Sequence, residues 1–333
     1  MTLARTSRSS HRGIVAVAGA ALLLAGGCGI AAAPRAGAGS QRADLEAAEH
    51  PAPSAFPAAR GRTLARIARG AKAGPQVGLA SGTFVPGRQR VAFALIGADG
   101  KPVYPPSAVY IASRLNGPAA GPFLAPAESV AVAPAFRSTN PDPADIAAVF
   151  ATQVPLPRAG RYVALVLSQM GGRFVGGTAL LSVRASSPIP GPGDRAPAVA
   201  TDTRASVRGD ERLLTTRMPP EDMSRVSFRD VVGRKPVVLL FSTPSLCQSR
   251  VCGPVTDIAV ELQHEFGRRA EFIHQEVYAE NQVSKGLRAP LRAFALQSEP
   301  WIFTFDRSGR VAARLEGAVG VEEFRAAVQR ALR

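Results

Sequence analysis

The chain has 333 residues, with 40 Lys+Arg against 25 Asp+Glu and a formal net charge of +15. Three cysteines exclude a disulfide-dense secreted module, 32 glycines without a triplet repeat exclude collagen, and a single long apolar run excludes a polytopic membrane protein. The length predicts roughly two domains plus connecting sequence.

Arg5, Arg8 and Arg12 precede the uncharged run GIVAVAGAALLLAGG from Gly13 to Gly27, and Cys28 follows. At 15 residues the run falls short of the ~20 that span hydrocarbon as a helix, so it reads as a signal peptide over residues 1–27. Leu24-Ala-Gly-Gly-Cys28 resembles a bacterial lipobox, with alanine standing where leucine is usual. That resemblance implies a lipid-modified Cys28, a membrane-anchored lipoprotein and an extracytoplasmic location. Ordinary cleavage after Ala31–Ala33 is the alternative, and it leaves no lipid. Residues 28–75 are dominated by Ala, Pro, Gly and Arg and read as a disordered tether. Within it, Leu64–Lys72 reads as a solvated spacer or as a brief basic helix on anionic headgroups.

From 76 to 187 short apolar runs alternate with turn signals. Strands are expected at Gln89–Ile96, Ala108–Ala112, Ala147–Leu156, Arg161–Leu167 and Phe174–Val183, giving an antiparallel β-sandwich. The phrase Pro157-Arg-Ala-Gly-Arg-Tyr162 resembles a strand signature of Ig-like bacterial modules. With no His and only Met170, this segment is not expected to hold metal. Residues 188–222, Pro-rich and then interleaved in charge, read as a second, solvated linker.

The last stretch, 223–333, carries the chemistry. Pro236–Phe241 is an unbroken apolar run of strand length, and Val255, Ile258, Leu262 and Phe266 follow at helical spacing. Between them lies the loop Ser242-Thr-Pro-Ser-Leu-Cys247-Gln-Ser-Arg-Val-Cys252. Glu271–Tyr278 reads as a strand, Leu287, Leu291 and Phe294 as a helix opened by Pro290, Trp301–Phe305 and Val311–Leu315 as a hairpin, and Val321–Leu332 as a closing helix. Strand, cysteine loop, helix, strand, helix, strand, strand, helix is the order in which this stretch resembles the thioredoxin superfamily. The resemblance implies an α/β thioredoxin-like fold, a dithiol at Cys247 and Cys252, and a cis-proline at Pro300 lying against it. The chain as a whole resembles actinobacterial lipoproteins that pair an Ig-like module with a thioredoxin-like domain.

Four residues separate the cysteines where family redox enzymes usually have two. On a continuous helix an i, i+5 pair is turned by about 140°, with the Cα atoms beyond the ~7 Å limit for bridging. The pair can therefore close only if Cys247 lies in the loop and Cys252 at or before the helix start. A helix N-terminus and Arg250 favour a thiolate, Cys247 would attack and Cys252 resolve, and Pro300 would hold substrate backbone clear of the sulfurs. No buried acid stands out as proton acceptor unless Glu276 serves. Three readings stay open at this point: a dithiol exchanging with extracytoplasmic protein thiols or disulfides, a structural disulfide in a non-catalytic adaptor, and copper binding with His274. His274 on a strand and His264 on a helix read more simply as a core and a solvent-facing residue, and Trp301 and Phe305 as core. No phosphate-binding loop, zinc spacing or serine triad occurs, and no cofactor is expected. Residues 223–333 carry 16 Lys+Arg against 12 Asp+Glu, only +4, with no basic stripe, so no nucleic-acid partner is expected.

Overall fold

Alternating apolar and polar residues build the first part of the chain into two facing sheets. In the computed structural model the described residues are 45–140 and 146–333, so the expected signal peptide, Cys28 and the opening of the tether lie outside them. The strands are β1 (Lys72–Ala73), β2 (Gln76–Leu79), β3 (Gly87–Ile96), β4 (Ser107–Ala112), β5 (Ala120–Ala125), β6 (Ala127–Ser129), β7 (Ala148–Leu156), β8 (Gly160–Met170) and β9 (Arg173–Val183). They form a five-stranded sheet, β1-β9-β8-β4-β5, and a four-stranded sheet, β2-β3-β7-β6. Every pairing is antiparallel except the short β1 against β9. Val91, Phe93, Leu95, Phe150 and Val154 from one sheet meet Val109, Ile111, Ala164 and Val166 from the other. Phe93 and Phe150 are register partners and stack with centroids 5.2 Å apart.

β4 is buried on both faces because Ser-Ala-Val-Tyr-Ile-Ala offers no polar alternation. Its outer face, with Leu165 and Leu167 of β8, is covered by Phe56, Ala59 and the short helix α1 (Leu64–Ala68), which contributes Leu64 and Ile67. Thr63 caps α1 by accepting from Arg66 N at 3.2 Å, and Tyr110 donates to Pro57 O at 2.7 Å. The expected tether therefore does not run to residue 75. A few large side chains, each docked singly on the sheet, fix the segment, and the apolar side of α1 that would have met lipid is spent on this packing.

The remaining elements are α2 (Phe228–Val231), β10 (Val237–Phe241), α3 (Cys252–Phe266), β11 (Glu271–Gln275), α4 (Ala289–Ala293), β12 (Trp301–Phe305), β13 (Val311–Glu316) and α5 (Val321–Ala331). Their sheet runs β11-β10-β12-β13, with β10 and β11 parallel and the other neighbours antiparallel. One face carries α3 and α5 through Val255, Ile258, Leu262, Phe324 and Val328; the other packs Phe228, Phe241, Phe294, Phe303 and Phe305 together. This is the element order that the thioredoxin resemblance implies, with the cysteine loop following β10.

The segment expected as a solvated linker is instead laid over this domain. Ile189 and Leu214 are buried, Arg217 pairs with Asp257 at 2.8 Å with both side chains buried, and Arg288 pairs with Asp202. Arg204–Glu211 and Arg212–Asp210 pair locally, whereas Asp202 and Arg217 find distant partners that no local pattern announces. The described residues fall within one compact unit, and the outer face of the four-stranded sheet meets the C-terminal domain. Val130, Val132 and Val149 join the core of α3 and α5. Arg90 lies 2.6 Å from Glu323 and donates to the carbonyls of Glu316 and Ala318 at 2.8 and 2.6 Å. Gly317, at φ +75°, is required there, because a Cβ would stand 1.6 Å from the Ala80 carbonyl oxygen. Among the described residues no helix is long and apolar enough to cross a membrane.

Candidate functional site

The site begins where β10 ends. Its five residues are wholly buried, so the strand delivers Ser242 and Thr243 to the sheet edge already desolvated. Ser242 Oγ shares a 2.7 Å bond with Thr256 Oγ1, and Thr256 Oγ1 donates to Cys252 O at 2.7 Å, so the first turn of α3 is tied to the strand it follows. In between, the loop turns back on itself. Arg250 N donates to Cys247 O at 3.3 Å, and Arg250 adopts a left-handed φ of 60°. Cys252 is thereby the first residue of α3 and Cys247 lies in the loop.

The two thiols are free and unequal. Cys252 is fully buried, and burial pushes its thiol well above the ordinary range. Cys247 is partly exposed, and its pKa is pulled down to about 6. The largest cause is a hydrogen bond from the Cys252 thiol, with Ser249 Oγ at 3.1 Å adding to it against the opposing effect of burial. The pair is thus biased toward a Cys247 thiolate beside a neutral Cys252 thiol, an asymmetry that favours dithiol exchange.

Pro300 follows a cis peptide bond and opens β12, whose Trp301 is the register partner of Phe241 at the end of β10. This brings Glu299 and Pro300 to the mouth of the cysteine loop. Glu299 is half-buried, and burial together with the negative charge of Cys247 raises its pKa. Tyr278 donates to Glu299 Oε1 at 3.5 Å, and burial and Glu299 raise the phenol likewise. Trp301 itself is buried, donating from Nε1 to Ser298 Oγ at 3.0 Å, with the Arg314 guanidinium 5.9 Å from its ring centre. It is core, as is Phe305.

Beneath the loop sits a buried polar layer. Glu276 accepts from Thr216 N and Oγ1 at 2.6 and 2.7 Å through Oε1, whereas its Oε2 and Thr243 Oγ1 have no protein partner. His274 Nδ1 lies 2.8 Å from Glu221 Oε1, and its Nε2 lies 3.1 Å from Ser242 O. Burial works against charge on both, but each outweighs it for the other: the His274 pKa is raised and that of Glu221 lowered. His274 is thus a paired core residue holding the end of β10, and among the described residues no cluster of three or more His, Cys, Asp or Glu could hold a metal ion. His264 is exposed on α3, its ring 5.3 Å from that of Phe136.

The structure thus brings Cys247, Cys252 and Pro300 to one place; Cys28 lies outside the described residues. Sequence reasoning passed over Glu299, Tyr278, Ser249, Thr216 and Glu221. Glu299 and Ser249 adjoin residues already singled out, so adjacency would have found them, while Glu221 and Thr216 come from a segment read as linker.

No protein-family model matches the chain, and no curated protein matches it. Solved structures do. One, provisionally described as the thiol:disulfide interchange protein DsbE of Chlorobium tepidum, is 15% identical with a TM-score of 0.31, covering 43% of this chain and 99% of its own. Another, a thiol:disulfide interchange protein of the thioredoxin family from Chlorobium tepidum TLS, is 18% identical with a TM-score of 0.28, covering 44% and 99%.

Proposed function

We propose that the chain is a thiol–disulfide oxidoreductase, held by a lipid on Cys28 at the extracytoplasmic face of the membrane and acting on protein thiols or disulfides there. The observation that carries the redox reading is the unequal pair: a partly exposed Cys247 with a pKa near 6 beside a buried Cys252 that stays protonated. A purely structural bridge needs no such difference.

In the reductive direction the Cys247 thiolate attacks a substrate disulfide. The substrate S–S bond breaks, a mixed disulfide forms, and one substrate sulfur leaves as thiolate. Cys252 then gives up its proton and attacks the Cys247 sulfur, closing the Cys247–Cys252 disulfide and releasing the second substrate sulfur. Two electrons pass to the substrate, and the reverse sequence oxidises substrate thiols. Support for Glu276 as the group that takes the Cys252 proton comes from its burial, its unpartnered Oε2 and its position next to the strand end leading to the loop. Glu299–Pro300 at the mouth of the loop supports a groove along which an extended substrate lies. A copper-carrier reading has no comparable support, since His274 is committed to Glu221 and Ser242.

Reduction of insulin, or oxidation of reduced ribonuclease, by the mature chain tests the proposal. Turnover that Cys247→Ser abolishes is expected; equal inactivity of wild type and variant leaves the chain an adaptor with a structural cysteine pair.

A further inference from the structure

Cys247 opens on one side into a cavity of about 770 Å³ that the C-terminal domain does not form alone. Arg250 and Pro254 line it from the cysteine loop and α3, while Val130, Val132 and Arg137 line it from the segment that follows β6. The sandwich side of the molecule therefore walls the space in front of the Cys247 sulfur.

Among the described residues the charges in that lining do not balance. Asp257 is part of it, but its carboxylate is already occupied by Arg217 Nε at 2.8 Å and Ser138 N at 2.8 Å. Arg137 and Arg250 have no ion-pair partner among the described residues. Glu299, whose charge couples to Cys247, is not in the lining, so the sulfur has a basic flank toward the cavity and an acidic one at the cis-proline. The volume lies within the range of whole ligand pockets. It accommodates several side chains of an extended polypeptide, whereas a lone small thiol would leave most of it empty.

We propose that this cavity is the specificity pocket of the exchange reaction: it receives acidic side chains flanking the cysteine of an incoming polypeptide, whose carboxylates pair with Arg137 and Arg250. The inference rests on the exchange reading above and gives the sandwich a role in it, as the wall that carries Arg137. Attraction of this kind raises encounter and binding more than the chemical step, and it weakens with salt.

The test uses the mature full-length chain and three short peptide disulfides that differ only in the residues flanking cysteine: Asp/Glu, Ser or Lys. Two small disulfides accompany them, neutral bis(2-hydroxyethyl) disulfide and anionic dithiodiglycolate. The acidic peptide should exceed the basic one by about tenfold in kcat/KM, mostly through KM, with the gap shrinking as salt rises. Arg137→Gln with Arg250→Gln should narrow that gap, and Arg173→Gln, at the start of β9, should not. Should the double variant fail to fold, the salt series on wild type still measures the attraction. Equal kcat/KM for the three peptides overturns the pocket while leaving the exchange reading intact. Rapid turnover of dithiodiglycolate with the peptides refused overturns the polypeptide occupant. No turnover of any disulfide, the neutral one included, overturns the exchange reading beneath.

Discussion

The two halves of the molecule bury their sheets in different company. Among the described residues of the sandwich the buried polar ones are Ser81, Ser107 and Ser168, and its core is aliphatic with stacked phenylalanines. In the C-terminal domain Arg217, Asp257, His274 and Glu276 are all buried, and they gather under or beside the loop that follows β10. Buried charge costs stability unless it is paired, so its concentration at one end of one sheet marks where the fold serves something other than its own stability. The sandwich, by contrast, contributes shape: it covers the outer side of α3 and α5 and lends one wall to the cavity at Cys247.

Paired substitutions sharpen that contrast. Glu221→Gln removes the buried carboxylate that holds His274 and raises its pKa, and should cost about 3–5 kcal/mol by urea denaturation. Phe150→Ala in the sandwich core should cost a similar ~3–5 kcal/mol as a cavity penalty. The variants should then part company. Glu221→Gln loosens the end of β10 through His274 and Ser242 and should shift the pH profile of Cys247 alkylation by iodoacetamide, whereas Phe150→Ala should leave it in place. Equal shifts would mean the polar layer has no special tie to the loop. The pH dependence of stability should separate them too. The raised His274 pKa contributes stability that is full below the ordinary histidine value and is lost as pH rises through the folded value. The lowered Glu221 pKa contributes stability that is present above the ordinary glutamate value and is lost as pH falls through the folded one. The difference between wild type and Glu221→Gln should therefore be largest between those limits, and Phe150→Ala should show no such window.

A smaller effect is expected within the site. Cys252→Ala removes the largest cause of the low Cys247 pKa, so the alkylation midpoint should move up from about 6 with little change in fold. An unmoved midpoint would assign the thiolate to Ser249 and the helix instead.

Periodicity in the chain was enough to find β3, β4, β7, β8 and β9 and nearly every element from β10 onward, because each buries a run or a regular stripe. It was not enough for β5, where Gly121 and Pro122, residues that weaken a strand signal, lie in a strand, the glycine at φ +131° against the Val109 carbonyl. Nor did it reveal the docking of Phe56, Leu64 and Ile67, isolated large residues in an Ala/Pro/Arg background whose burial depends on the outer face of β4. The dithiol and the proline were legible because they are local motifs. Arg217, Glu221 and Arg137 were not, since their partners or neighbours lie far off in sequence. Of the many arginines behind the opening charge of +15, Arg90 and Arg217 pair with distant acids, while Arg137 and Arg250 line the cavity at Cys247.

The most direct test of the central claim is the reduction potential of the Cys247–Cys252 couple, measured by equilibration of the chain with defined dithiol buffers. An exchange-active pair predicts a potential above about −300 mV, with Cys247 as the thiol trapped in the mixed disulfide. A potential well below about −300 mV would contradict the account and make the bond a structural staple.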